Sequence, residues 1–367
     1  MDMCVALLAE LKRIVKFNNV ITILKIHPSC KTESLSFLFN TISDLSDLIY
    51  IKSDCALKNE AVEIFKRKNK KCILFKVSKD IVLKKEILEY STFFRSHADV
   101  DDTSIRIGEV IKSYNNLVYA FLDGCYPPNN SIPTKYFNKH NAIYPDMFLL
   151  CSEKHKKSIE SVGYKNKTIY VGYFKLYEGW RNKIKQYVKK HYVKREKEFT
   201  VSIFTRGEDD SLPKNKQLIN NDDLVKVLND IYFSLNELWG DVTILIKPHP
   251  SQNIGPIKST LSKNIRIVTE HPSILAELSD IVITNWSTSI VDAIISGVPC
   301  LEYFKPTKYF YDIYENGSSF KQLGIPSVKN KSELLKYLSL IKNNSYKCPN
   351  AIKVLEHRNL LHQIIPS

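Results

Sequence analysis

The sequence predicts an α/β protein of two domains, each with a parallel sheet flanked by helices. Short apolar, β-branched runs alternate along the chain with polar segments that are compatible with helices. The 367 residues exceed what one ordinary core accommodates and suit two domains of about 150 to 200 residues each. Hydrophobic residues make up 44% of the chain and aromatic residues 11%, which excludes a disordered polymer.

Residues 3–17 are predicted to form the first helix, and Asn19 to Ile26 the first strand. Further strands of the first half are expected at five apolar runs: 48–51, 71–77, 117–122, 147–151 and 168–171. A second series of strands follows a basic segment: 199–205, 242–246, 265–268, 280–284 and 300–303. We therefore expect domains at 1–185 and 186–335, and a C-terminal tail, 336–367, for which a return to the first domain is one option.

The chain is strongly basic, with a net charge of +14 that is densest over residues 180–195. In this segment Ile184, Tyr187, Val188 and Tyr192 recur at helical spacing opposite the lysines. The pattern is compatible with a solvated helix between the domains, with attachment to an anionic membrane surface, or with nucleic-acid binding. No zinc-ligand spacing and no RNA-recognition signature is present, so nucleic acid is the least expected of these partners.

The cysteines and the apolar runs indicate the compartment. The eight cysteines are scattered without a Cys-x-x-Cys pair, and the Met-Asp-Met-Cys start lacks the basic residues of a signal peptide. No apolar run approaches the roughly 18 residues that cross a bilayer. We expect reduced thiols and a cytoplasmic protein, which is either soluble or peripheral at the inner face of the cytoplasmic membrane.

Two buried-strand patterns in the second half each end on a polar turn that suits a phosphate. Val242 to Ile246 is apolar on both faces and closes with Lys247-Pro248-His249-Pro250, which places His249 at the carboxyl end of a parallel strand. Asp280 to Thr284 repeats the pattern and leads to the hydroxyl turn Ser287-Thr288-Ser289. Ligands of open α/β sheets bind beyond such strand ends, and free backbone N–H groups there favour an anion.

Each of these residues also has a purely structural interpretation. His249 can be a strand-end histidine bonded to a neighbouring loop, and Lys247 a solvated strand end. The three hydroxyls can supply an N-cap for the helix expected at 290–296. In the binding interpretation, His249 donates a hydrogen bond or a proton to a departing phosphate.

Two further strand ends carry charged residues. Arg206 and Gly207 follow the first strand of the second half, where they are placed to touch a nucleotide. The acidic trio Glu208 to Asp210 suggests a metal, but without a second carboxylate cluster we expect a solvated loop and assign no metal ligand. In the first half, Asp123-Gly124 is either a plain turn or carries a carboxylate that deprotonates an acceptor hydroxyl or attacks an anomeric carbon.

Three motifs, Asp123-Gly124, His249-Pro250 and Ser287-Thr288, occur in the order found in GT-B glycosyltransferases of bacterial surface polysaccharides. The sequence most closely resembles the bacterial sialyltransferase and capsular Kdo (ulosonic acid) transferase families, above all over residues 200–335. The resemblance implies an α/β GT-B fold, with two Rossmann-like domains that face each other across a cleft. It departs from those families in having a single acid before the glycine.

Two families of related fold match the motifs less well. The CDP-glycerol and CDP-ribitol phosphotransferases carry His-Gly in place of Asp123-Gly124 and Asp-Tyr-Ser-Ser in place of the Asn-Trp-Ser-Thr turn that begins at Asn285. The UDP-N-acetylglucosamine 2-epimerases have a glycine-rich, acidic turn that this sequence lacks. The differences favour a CMP-sugar as donor.

By this resemblance, the protein transfers a CMP-activated acidic sugar of the sialic, pseudaminic or Kdo type to a cell-surface glycan or glycolipid acceptor. Asp123 is implied as the catalytic carboxylate, and His249 as the group that assists the departure of CMP. The remaining site residues are implied in binding the nucleotide or its phosphate: Lys247, Pro250, Ser287, Thr288, Ser289, Arg206 and Gly207. No cofactor and no metal is then obligatory. CDP-polyol or UDP-sugar transfer, and a non-catalytic glycan- or nucleic-acid-binding protein of the same fold, are the alternatives.

Overall fold

The chain forms two compact units. The computed structural model describes residues 2–15, 20–24, 32–53, 57–76, 93–96, 102–121, 145–153, 155–161, 163–192, 199–209, 212–250, 252–258, 264–313, 318–355, 357 and 361–364. The first unit comprises residues 1–183 together with 355–367, and the second comprises 184–354. The expected tail, 336–367, is therefore divided between the units.

The first unit contains two parallel sheets. One has the order β1-β2-β3, formed by Ile21–Leu24, Leu48–Lys52 and Lys71–Phe75. The other has the order β4-β5-β6-β7, formed by Phe93–Ser96, Val118–Phe121, Met147–Leu150 and Lys167–Tyr170. Six of these seven strands coincide with predicted ones. The exception is β4, whose short Phe-Phe-Arg-Ser run carries too weak an apolar signal to be recognised.

Helices flank these sheets, as the alternating pattern predicts. They cover Asp2–Ile14, Thr32–Leu45, Lys58–Arg67, Asp102–Ser113 and His155–Glu160. The returning C-terminal segment is bonded into the same unit through His357, whose Nδ1 accepts a hydrogen bond from the backbone N–H of Tyr173 at 3.2 Å. Burial lowers the pKa of His357 to about 4, which keeps the imidazole neutral and able to accept that bond.

The second unit is a six-stranded parallel sheet with the order β10-β9-β8-β11-β12-β13. In chain order, β8 to β13 are Thr200–Thr205, Thr243–Pro248, Ile265–Ile267, Ile281–Thr284, Cys300–Tyr303 and Ser327–Val328. From β8, the sheet extends through β9 and β10 on one side and through β11, β12 and β13 on the other. This is the strand order of a Rossmann sheet. The switch point of this topology lies between the carboxyl ends of β8 and β11.

The sheet is covered by helices whose apolar faces match its alternating side chains. On the helix Asn221–Trp239, Leu224, Val227 and Ile231 pack against Ile203 and Ile246 of the strands. Its start is capped by Asn220, whose side chain accepts a hydrogen bond from the N–H of Asp222. The other helices of the second unit cover Gly255–Lys258, Pro272–Leu278, Ile290–Ser296, Lys308–Ile313, Lys331–Lys342 and Ala351–Val354.

The basic segment forms the helix Glu178–His191, within which the two units divide. Its apolar side is covered by protein, since Trp180 and Ile184 are only 1% and 4% exposed. Exposed cations lie on the opposite side: Arg181, Lys185, Lys189 and Lys190. Among the described residues, no helix is both long enough and apolar enough to cross a membrane.

Candidate functional site

The predicted site residues of the second unit follow three adjacent strands at one edge of the sheet. Arg206 follows β8, His249 follows β9, and the hydroxyl turn follows β11. Backbone hydrogen bonds fix these strand ends: the N–H of His249 donates to Thr205 O at 2.9 Å, and the N–H of Asn285 donates to Phe204 O at 2.8 Å. Because adjacent strands lie about 4.8 Å apart, the three turns share one region at the switch point.

The turn after β8 is held by reciprocal hydrogen bonds. Asn221 lies at the start of the long helix, and its side-chain Oδ1 accepts a hydrogen bond from the backbone N–H of Glu208 at 3.1 Å. The backbone N–H of Asn221 in turn donates to the Glu208 carboxylate at 3.1 Å. Gln217 accepts from the N–H of Asp209 at 2.8 Å. A Cβ on Gly207 would lie 2.7 Å from Asn221 Oδ1, so the turn has space only for glycine unless its neighbours move.

Arg206 contacts Trp286, the residue before the hydroxyl turn, across the switch point. Its guanidinium carbon lies 4.9 Å from the centre of the Trp286 ring, a cation–π distance. On another side, the Trp286 ring meets the edge of Phe310 at 5.0 Å between ring centres. The contact joins the turn after β8 to the turn after β11.

The hydroxyl turn keeps hydrogen-bonding capacity unused. Ser287 Oγ accepts from the N–H of Ser289 at 3.3 Å, while Ser289, the N-cap residue, makes no side-chain cap bond. Within the described part of the chain, the backbone N–H groups of Ser287 and Thr288 have no acceptor. Ser289 already has helical backbone angles, and Ser287 Oγ bonds the N–H two residues on, so the structural interpretation, in which one hydroxyl caps the helix, describes Ser287 and not Ser289. Thr288 is exposed, so its groups are open to a ligand.

His249 lies in a positive environment. Desolvation lowers its pKa to about 4, and the charges of Arg206 and Lys247 act in the same direction, while Asp209 opposes them. The residue is nonetheless exposed, so solvent weakens each of these effects. At neutral pH the imidazole is uncharged and can donate one hydrogen bond and accept another. An anion bound beside it would favour the protonated form and raise the pKa.

Buried amides support this edge of the sheet. Gln252 Oε1 accepts from Thr205 Oγ1 at 3.0 Å and from the N–H of His249 at 3.3 Å. Gln252 Nε2 and both amide atoms of Asn285 are buried and have no partner among the described residues. Thr205 and Asn285 continue the register of β8 and β11, so these two residues lie side by side at the carboxyl ends of adjacent strands.

One buried carboxyl group lies close to this edge. Glu302 on β12 pairs in register with Thr284, and its Oε2 accepts from Ser327 Oγ at 2.8 Å. Its Oε1 is buried without a partner in the described residues. Burial raises the pKa of Glu302 to about 7, against the opposing hydrogen bonds from Ser318 and Ser327.

The structure brings together only part of the predicted site. Asp123 and Gly124 lie outside the described residues, although β5 ends two residues before Asp123. Lys247 is half-buried at the end of β9, and Pro250 is exposed beyond it. His271 is the N-cap of the helix Pro272–Leu278, and its Nδ1 accepts a hydrogen bond from the N–H of Ser273 at 3.2 Å.

The structure describes two of the three acidic residues Glu208 to Asp210. Glu208 and Asp209 are engaged in the turn after β8, and Asp210 lies outside the described residues. No group of three metal-binding side chains occurs in the part of the chain that the structure describes. Sequence reasoning missed Trp286, Gln252 and Asn221 as parts of the site. Their roles depend on contacts between segments that are distant in the sequence. Only Trp286 had a sequence signal, because it belongs to the Asn-Trp-Ser-Thr turn.

Neither a protein-family model nor a curated protein sequence matches the chain. Several solved structures match the chain in fold. The UDP-GlcNAc 2-epimerase from Methanocaldococcus jannaschii is 14% identical with a TM-score of 0.55, covering 93% of this chain and 96% of that chain. The S. aureus MnaA–UDP structure is 10% identical with a TM-score of 0.54, covering 95% and 94%. A variant of the wall teichoic acid polymerase TagF is 14% identical with a TM-score of 0.54, covering 99% and 92%.

These similarities confirm the predicted GT-B fold with two Rossmann-like domains. At such low identity they show the fold alone.

Proposed function

We propose that the protein is a transferase for a nucleotide-activated donor, and that the switch point of the second unit holds the donor's phosphate. One observation carries the proposal: Arg206, His249 and the hydroxyl turn follow three adjacent parallel strands at the same edge, and Lys247 lies at the end of β9, the second of these strands in chain order. Two of these groups are cations, and the turn supplies backbone N–H groups without a described acceptor. This combination suits an anion better than a neutral ligand.

The site chemistry follows from these groups. Ser287, Thr288 and Arg206 would donate to the phosphate oxygens and stabilise the charge that develops on them as the donor bond breaks. His249 begins neutral, and the approach of the phosphate raises its pKa because the negative charge favours the imidazolium. His249 can then take up a proton and deliver it to the departing phosphate.

The donor that we propose is a CMP-activated acidic sugar of the sialic, pseudaminic or Kdo type, and the acceptor is a hydroxyl of a cell-surface glycan or glycolipid. Asp123 would act as general base on that hydroxyl or as nucleophile at the anomeric carbon. Gly207 and Pro250 would shape the nucleotide site. Positioning and charge stabilisation by these side chains make up the catalysis, and we assign no metal ligand.

A polyol-phosphate or UDP-sugar transferase is the alternative within the same fold. It is favoured by the TagF structure, which aligns over 99% of this chain, and by the MnaA structure solved with UDP. In this alternative the same edge binds the phosphates of CDP or UDP. A non-catalytic binding protein of the same fold is the second alternative.

The acceptor side of the proposal includes a membrane surface. Exposed Arg181, Lys185 and Lys189 lie one helical turn apart on the helix Glu178–His191. Each cation close to an anionic surface contributes about 1 kcal/mol, and salt weakens the attraction. Binding to anionic but not to neutral vesicles, lost at high salt, is the expected result.

The experiment that tests the proposal is thermal unfolding with CMP, CDP, UDP or GDP, each at millimolar concentration without metal. A ligand at 100 times its dissociation constant adds about 2.7 kcal/mol to the unfolding free energy, which raises the melting temperature by about 5 to 10 °C. Selective stabilisation by CMP is the expected outcome. Stabilisation by CDP or UDP alone would move the assignment to the alternative donors, and no shift with any nucleotide would contradict the transferase.

A further inference from the structure

The backbone of Trp286 adopts a conformation that its side chain disfavours. Its φ is +48°, in the left-handed region. The other described non-glycine residues with positive φ are Asn69, Asn115 and Asn344, and asparagine tolerates this region. A bulky tryptophan does not. Such strain persists where the surrounding structure requires it, and it is concentrated at functional sites.

The strained backbone determines where the indole ring lies. Trp286 stands between β11 and the hydroxyl turn, and its ring is half-buried. Phe310 supports the ring edge-on, with an angle of 85° between the ring planes. The Arg206 guanidinium lies over the ring face at 4.9 Å. The ring is thus held by Phe310 and contacts a cation that belongs to the other side of the switch point.

Arg206 has its charge available for a ligand. In the described part of the chain it makes no ion pair, and its contact with Trp286 is the interaction that orients it. Its charge reaches His249, together with that of Lys247 and against that of Asp209. The position of one guanidinium therefore affects both the anion site and the imidazole beside it.

We propose that Trp286 is a positioning residue, whose ring holds the Arg206 guanidinium at the switch point where it meets the donor phosphate. The phosphate in this statement rests on the proposed function, but the orientation of Arg206 does not. A ring that served only to cover Phe310 and Ile219 would need neither the left-handed backbone nor the cation on its face. A flexible arginine without the ring would lose more freedom on binding and would hold the phosphate less well.

The test is a double-mutant cycle between Trp286→Leu and Arg206→Gln, with CMP affinity as the readout. Trp286→Leu should weaken binding by about three- to thirtyfold, since a cation–π contact is removed. Arg206→Gln should weaken it at least as much. The double variant should bind like Arg206→Gln alone, because the ring acts through the arginine. Losses that multiply in the double variant would overturn the proposal.

A second readout uses the ligand-free protein. The pKa of His249 is followed by NMR, and its signals are assigned with His249→Gln. Trp286→Leu and Arg206→Gln should both raise this pKa toward its ordinary value, because the guanidinium moves away or is lost. Trp286→Phe keeps an aromatic face and should restore most of the wild-type value. An unchanged pKa in Trp286→Leu would overturn the proposal.

Two controls keep the result interpretable. Phe310→Leu removes a ring that touches Trp286 but not the guanidinium, so it should shift the pKa of His249 less than Trp286→Leu does. Arg206→Lys keeps the charge without the planar group and should bind CMP less well even with Trp286 intact. Arg206→Lys can be measured even if Trp286→Leu does not fold. If Arg206→Lys binds CMP as tightly as the wild type, the ring has no role in holding a planar guanidinium. If no nucleotide binds, the proposed function fails, while the titration of His249 still tests the position of Arg206.

Discussion

The two turns that meet at the switch point are built in opposite ways. In the turn after β8, Glu208, Asp209 and Asn221 exchange hydrogen bonds of 2.8 to 3.1 Å with their neighbours, and Gly207 is packed against them. In the turn after β11, the side chains contribute one bond of 3.3 Å, from the N–H of Ser289 to Ser287 Oγ, and the remaining bonds are the backbone bonds of 3.0 to 3.1 Å that begin the helix. The N–H groups of Ser287 and Thr288 have no acceptor within the described residues.

The difference separates a supporting turn from a binding turn. The first N–H groups of a helix have no acceptor within it, and here two cations lie beside them, which is why we propose the donor phosphate at this turn. Buried Asn285 extends this unused capacity below the turn. We therefore expect substitutions in the first turn to change stability and substitutions in the second to change nucleotide affinity.

The largest expected effect lies outside both turns, at Asp123. If this carboxylate is the general base, Asp123→Asn should lower turnover by about 10² to 10⁴ and leave CMP affinity nearly intact. Steady-state kinetics and calorimetric titration measure the two quantities. Unchanged turnover would remove Asp123 from the mechanism and leave the chemistry to the two turns.

Gly207→Ala should be the most destabilising change in the supporting turn. The new methyl group would lie 2.7 Å from Asn221 Oδ1 and 2.8 Å from Gln252 Nε2, so that hydrogen-bonded side chains have to move, at a cost of about 1 to 3 kcal/mol in unfolding free energy. Urea denaturation measures the loss. Gly255→Ala is the control, since its Cβ would meet only Asn253 Oδ1 at 3.1 Å. Equal stability of the two variants would show that the supporting turn is adaptable.

Ser287→Ala together with Thr288→Ala should weaken CMP binding by about 0.5 to 3 kcal/mol, because hydrogen bonds to a charged group are lost. The free energy of unfolding without ligand should hardly change, since the hydroxyls contribute one weak bond to the fold. Calorimetric titration and urea denaturation of the same variant give both values. A stability loss with unaltered CMP affinity would reverse the distinction between the two turns.

A smaller effect is expected on the pH dependence of CMP binding, through His249. Its pKa of about 4 lies below the ordinary value of 6.5, and a bound anion should raise it. CMP binding should therefore take up protons above about pH 4, up to the raised pKa of the complex, which calorimetry in buffers of different ionisation enthalpy detects. His249→Asn should lack this component and retain only the protonation of the phosphate itself. Identical proton uptake in both proteins would exclude His249 from contact with the phosphate.

Glu302 should make the free energy of unfolding fall as pH rises. Its pKa of about 7 in the folded protein exceeds the ordinary 4.5, so its contribution is fully present below pH 4.5 and is lost as pH rises through 7. Glu302→Gln should remove this decline, and unfolding free energies at pH 6 and pH 8.5 measure it. The same decline in the variant would assign the pH dependence to other groups.

Strand periodicity made most of the fold predictable, because parallel strands buried on both faces leave continuous apolar runs such as Val242 to Ile246. Proline and hydroxyl residues after these runs located His249 and Ser287. The supporting turn was not predictable in detail, because Gly207 meets Gln252 across 45 positions of sequence. The left-handed backbone conformation of Trp286 was not predictable either, because tryptophan rarely adopts it and so gives no sequence signal for it.

The most direct test of the phosphate site compares the binding of CMP and of cytidine to the wild type and to Arg206→Gln. We expect the wild type to bind CMP much more tightly than cytidine, because the phosphate accounts for the difference, and Arg206→Gln to lose most of that difference while its cytidine affinity stays the same. Equal affinity of the wild type for CMP and cytidine, or an equal loss for both ligands in the variant, would contradict a phosphate at the switch point.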